Sequence, residues 1–295
     1  MKMNPVYRQE TMAGARSFKL PLVILIFNSI LALVALLDMY SMISQVRQTA
    51  EIQYSSFLSL YVFAASVEFV MLLFLIPAMT AGSISGERER RTLMLLLTTQ
   101  MTAKDVVIGK LAANLSTILL MIVSSFPILA LVFIYGGITM VDVALLLLCY
   151  VTTAFLTGSI GVLCSAYFTK STIATVASYC MTAFLSLGTV AVYELSGVLT
   201  AKGGMQGDNG LFYLLLLNPG ATFRRAMSGQ IGTGSEMTDF FPWLKQGPDS
   251  FVTEHWMVIG TAVQILLGVL FVWLAVRKIE PAKKRTSREG NPSLQ

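Results

Sequence analysis

The side chains best suited to chemistry with a partner lie in one short run. Glu87, Arg88, Glu89, Arg90 and Arg91 follow one another without a break, with Thr92 and Leu93 directly behind them. Five consecutive ions of mixed sign form charge-assisted hydrogen bonds well and cannot lie cheaply in hydrocarbon. A second ionisable group, Glu68, stands in the apolar run FAASVEFVMLLFLIP. A carboxylate at membrane depth costs on the order of 2.5–3.5 kcal/mol, so it must face protein or water. Two roles stay open for it: a polar element of a translocation path or subunit seam, or a hydrogen-bonded packing residue with Asn114 of the next apolar run as partner. Bond-making chemistry finds no set of residues. The single histidine, His255, has no Cys or carboxylate at ligand spacing, so neither a metal site nor a Ser–His–Asp triad can be assembled. Gly109-Lys110 looks like the end of a phosphate loop, but no Gly stands five residues earlier and Leu111 replaces the required Ser or Thr.

The elements that must position these residues are membrane spans. Apolar residues make up 55% of the 295 residues and charged ones 13%, against a globular norm of roughly 45–50% and about 25%. Crossing a bilayer takes roughly 20 apolar residues of helix. Six runs qualify, at about 20–41, 57–82, 107–135, 142–167, 172–198 and 256–277. The expected fold is therefore an all-α polytopic membrane protein with six transmembrane helices and both termini cytoplasmic. With that topology, every one of the 21 Lys and Arg except Arg47, Lys202, Arg224, Arg225 and Lys245 falls inside. The net charge of +5 then reflects contact with anionic membrane lipid, not nucleic acid.

Residues 1–19 form a basic segment read as an interfacial helix opening near Pro5, and 20–277 form the transmembrane domain. Within that domain, 83–105 is a cytoplasmic hairpin carrying the charged run. Residues 199–255 are a long outer loop whose apolar stretch Leu211–Leu217 is too short to cross, and 278–295 form a basic cytoplasmic tail. Thr102 with Asp105, and Thr139 with Asp142, are spaced as capping boxes opening the third and fourth spans. Gly82-x-x-x-Gly86 and Ala154-x-x-x-Gly158, with Gly161, have helix-packing spacing. Thr152, Thr153, Thr157, Ser159 and Ser165 suit a fourth span enclosed by the others. Cys149, Cys164 and Cys180 read as small buried apolar residues.

At the charged run the sequence resembles permease subunits of the type 2 ABC-transporter superfamily. The resemblance rests on Gly86-Glu87-Arg88-Glu89, Thr92-Leu93, Leu95-Leu96-Leu97-Thr98-Thr99 and Ile108-Gly109-Lys110. Asn4-Pro5-Val6 with Arg8 and Glu10 is similar to the family's N-terminal connecting helix. Arg91 stands where the family frequently has Gly, and Gln100 where it frequently has Pro. The resemblance implies a membrane subunit of an ATP-driven exporter. Glu87, Arg88, Glu89, Arg90, Arg91, Thr92 and Leu93 would form a coupling helix docked on a cytoplasmic ABC ATPase. ATP and Mg would sit on that ATPase, with no cofactor in this chain, and a second permease copy would complete the path. Amphipathic peptide, lipid or drug is the cargo class that an interior rich in Met, Phe and Leu would suit. The competing reading is a stand-alone secondary transporter with Glu68 as a protonation switch; such proteins usually show internal repeats and more intramembrane charge, which this chain lacks. A membrane enzyme is disfavoured by the absence of paired catalytic residues.

Overall fold

The computed structural model describes residues 4–49, 54–91, 102–136, 138–203, 209–231 and 251–280, and every regular element among them is helical. In chain order these are α1 (Pro5–Arg16), α2 (Lys19–Thr49), α3 (Tyr54–Thr80), α4 (Ser85–Glu89), α5 (Ala103–Gly136), α6 (Met140–Tyr167) and α7 (Ser171–Ala183). A π-helical turn, Phe184–Gly188, joins α7 to α8 (Thr189–Gly203). A 3-10 helix (Asn209–Leu217), α9 (Pro219–Ile231), α10 (Phe251–Glu254) and α11 (Trp256–Ile279) complete the order. Among the described residues, six stretches are long and apolar enough to cross a membrane: Lys19–Ser41, Leu60–Glu89, Ala103–Ala130, Met140–Tyr167, Ser171–Ser196 and Trp256–Ile279. They coincide with the six expected spans to within a few residues at most ends.

Helix α6 is the axis of the bundle. It packs against α3, α5, α7, α9 and α11, and 61% of its most apolar window is buried, whereas α2 is only 11% buried and lies at the periphery. The hydroxyls of α6 make this possible without orphaned polar atoms. Thr152, Thr157 and Ser159 donate to carbonyls one turn back, at 2.9, 2.7 and 2.6 Å. The Thr139–Asp142 capping box opens α6 as its spacing requires, and Thr102 and Asp105 pair in the same way ahead of α5.

Close helix approach is set by glycines, though not all of those the spacing suggested. A Cβ on Gly161 would overlap the Thr80 hydroxyl of α3 and lie 2.8 Å from Thr80 Cβ. One on Gly268 of α11 would come within 2.6 Å of the Phe155 ring. Gly158 abuts Leu111. Gly82 and Gly86, by contrast, are not at a seam, because a Cβ on either would meet nothing within 4 Å. Cys149 and Cys164 are buried, while Cys180 is exposed on α7 and so departs from the expected burial.

At the end of the bundle away from the charged run, residues 209–231 pack into the protein. The apolar run Leu211–Leu217 lies in a 3-10 helix that buries Phe212, Leu215 and Leu216 with Trp256. Asn218 then caps α9, accepting the Gly220 N–H at 2.7 Å, with Pro219 in the first helical position. Phe223 of α9 stacks on Phe69 at 4.4 Å and reaches the main core with Met227. The Asn218 amide donates to the Ser186 carbonyl at 2.6 Å and to Thr189 Oγ1 at 2.8 Å. That bond supplies a partner to the widened π turn, where the regular i to i−4 ladder is interrupted. Gln264, fully buried on α11, donates to Thr222 Oγ1 at 2.8 Å and leans on the Leu216 and Asn218 carbonyls. Phe240, Phe241 and Trp243, aromatic residues that suit a belt at the outer membrane interface, lie outside the described residues.

Candidate functional site

The charged run forms a hub in which α1, α4 and α5 meet, with Lys110 at its centre. Lys110 is 5% exposed, and its ammonium lies 2.6 Å from Glu10 Oε1 on α1 and 2.7 Å from Glu87 Oε1 on α4. A buried ammonium needs paired carboxylates to offset its lost hydration, and two supply that here. Lys110 was not among the residues singled out for the coupling role; its place in the Ile108-Gly109-Lys110 motif was the available signal.

Local sequence explains how α1 reaches α5. Asn4 caps α1 through Oδ1 at 3.0 Å from the Val6 N–H, and Pro5 occupies the first position. The same Asn4 amide donates to the Asp105 carbonyl at 2.8 Å. Buried Val6 sits directly over Gly109, where a Cβ would come within 2.9 Å of Val6 Cβ. Only glycine admits this contact, and it sets the register that brings Glu10 to Lys110. Tyr7 Oη and Ser116 Oγ, 3.1 Å apart, tie the next turn.

Helix α4 is bonded into the bundle rather than left as a free elbow. Its N-cap, Ile84, has no capping side chain. Ser165 of α6 performs that service, accepting the Ile84 and Ser85 N–H groups at 2.8 and 2.9 Å. Glu89 accepts the Ser171 N–H at 3.1 Å and its hydroxyl at 2.8 Å, capping α7. The Arg88 guanidinium reaches the Phe168 carbonyl at 3.4 Å. Glu87 and Glu89 are thus engaged internally, while Arg90 and Arg91 are exposed. Arg91 adopts φ 58°, the left-handed region that favours glycine, at the position where the resembling family frequently has Gly. Thr92 and Leu93 lie outside the described residues.

The second candidate, Glu68, is fully buried between α3 and α5, and Ser125 Oγ donates to its Oε1. Tyr150 closes the cluster, donating to the Ala65 carbonyl at 2.8 Å one turn below. No ion pair involves Glu68 among the described residues. Asn114, expected beside it, is about three turns of α5 away from Ser125 and lines a cavity at the Lys110 hub. Glu68 and Asn114 therefore do not form a pair.

Six helices long and apolar enough to cross a membrane, with a charged turn bonded to several of them, define a polytopic membrane protein. The chain belongs to the ABC-2 transporter family: residues 5–277 match the model described as ABC-2 family transporter protein. None of the curated proteins matches the chain. Membership makes it a membrane-spanning component of an ABC transporter, a family whose members associate with an ABC ATPase.

Proposed function

We propose that this chain is the permease subunit of an ATP-driven exporter, paired with a second copy and powered by a separate cytoplasmic ABC ATPase that carries ATP and Mg. In this reading α4 is the coupling helix, and both termini and the charged turn face the cytoplasm. The observation that carries the reading is the attachment of α4. Through Glu87–Lys110 it is joined to α5, through Ser165 to α6, and through Glu89–Ser171 to α7. A force applied at the exposed Arg90 and Arg91 reaches three spans and α1 without passing through a flexible link. Charge-assisted bonds, stronger than neutral ones, keep that linkage rigid. The motor's stroke would then tilt spans as bodies, the rigid-body class of transition. The cargo would be amphipathic peptide, lipid or drug.

The test is charge reversal at the exposed pair. Arg90→Glu with Arg91→Glu should abolish co-purification of the ATPase and ATP-driven transport while leaving the melting temperature of the isolated chain unchanged. Intact transport by that double variant would defeat the proposal.

A further inference from the structure

A cavity of about 350 Å³ opens beside the hub, between α1, the α3–α4 turn and α5, and we propose that it holds the headgroup of a phospholipid bearing both a phosphate and a primary amine. Its polar lining holds two cations, Lys110 and Arg90, and two anions, Glu10 and Glu87. A wall of balanced charge suits a zwitterion better than a net anion, which would meet two carboxylates at close range. The Asn114 amide nitrogen is buried and has no hydrogen-bond partner, so a donor stands ready for an acceptor such as a phosphate oxygen. Arg90, exposed at the rim, supplies a second phosphate donor. Glu10, bound to Lys110 through Oε1 and 40% exposed, offers its second carboxylate oxygen to an N–H donor.

The shape agrees with the charge. Gly82 and Gly86, one turn apart, both line this space, and a Cβ on either would meet no atom within 4 Å. Glycines that admit no neighbouring helix leave room for something else. Met79 adds an apolar wall on the side of α3, where the glycerol and upper acyl chain of a lipid would lie. The cavity is at the charged end of the bundle, the depth at which headgroups sit. An occupied cavity would bridge α1, α4 and α5, so the inference extends the proposed coupling role by making lipid a regulator of it. Its test does not require the ATPase, so the two readings can fail separately.

The full chain is reconstituted into nanodiscs containing equal parts of phosphatidylethanolamine, phosphatidylcholine and phosphatidylglycerol, and retained lipid is measured by native mass spectrometry. Phosphatidylethanolamine should be enriched roughly tenfold over both others, because the quaternary amine of phosphatidylcholine cannot donate to Glu10 and phosphatidylglycerol lacks the amine. Asn114→Leu should erase most of that enrichment, as should Gly82→Leu, which fills the space. Melting of each variant in lipid-free detergent checks its fold. Soluble phosphoethanolamine that displaces the lipid would assign the site to the free zwitterion; lipid retention in its presence assigns it to the membrane. Equal retention of the three lipids by the wild-type chain overturns the proposal, whatever the variants do.

Discussion

Lys110 holds Glu87 at 2.7 Å, so the charged turn is fixed to the third span by a buried ammonium. A coupling turn that merely touched the bundle would flex when pushed. One that shares a charge-assisted hydrogen bond with a span, and through it a second carboxylate from α1, moves with it.

Removing that ammonium should therefore cost both stability and coupling. Breaking a buried ion pair by deleting one partner costs about 3–5 kcal/mol, and the 40% exposure of the Glu10 side chain argues for the lower end or below. Lys110→Met should lower the melting temperature of the purified chain and leave ATP hydrolysis by the assembled complex unresponsive to cargo. Wild-type melting and coupling in that variant would show that the hub is dispensable.

The glycines at the helix seams should discriminate sharply between positions. Gly161→Ala and Gly268→Ala each force a methyl into a neighbouring helix and should destabilise by about 1–3 kcal/mol. Gly82→Ala meets open space and should be close to neutral. Denaturation curves of the three variants in one detergent make the comparison directly.

Arg91 sits at φ 58°, where an L side chain is strained. Arg91→Gly should stabilise the isolated chain by roughly 1 kcal/mol through relief of left-handed strain. The same change removes an exposed cation, so stability of the free chain and affinity for the ATPase should move in opposite directions.

Gln264 supplies the buried donor that ties α11 to the 3-10 helix and α9. Gln264→Leu would leave Thr222 and two carbonyls short of a donor and should cost about 1–3 kcal/mol. Protease cleavage within residues 209–231 should accelerate in that variant; an unchanged rate would argue that these residues are held by apolar contacts alone.

Glu68 offers a test between transport modes. Glu68→Gln keeps an acceptor for Ser125 yet removes the ionisable group, and ATP-driven transport should survive it. Loss of transport with ATP hydrolysis intact would favour a protonation step at this carboxyl.

How much could be read from residues alone differs between span, cap and contact. The six spans follow from run length, because a bilayer fixes how many apolar residues a crossing needs. The Thr139–Asp142 box follows from local spacing, since its two partners lie within one turn of each other. The likeness to the ABC-2 family was likewise visible in the contiguous motif around the third span, and the match over residues 5–277 agrees.

What the tertiary structure decided is which faces meet. In lipid both sides of a span are apolar, so composition around a helix does not mark the side turned to its neighbours. Hence Glu68 finds Ser125 and not Asn114, Lys110 gathers Glu10 from α1 and Glu87 from α4, and Asn218 reaches back to the π turn at Ser186. Each of these pairs spans tens of residues of sequence. Hydropathy sets the length of a helix and charge sets the end that stays in water, but rotation about the helix axis is fixed only when Gly161 meets Thr80 and Gly268 meets Phe155.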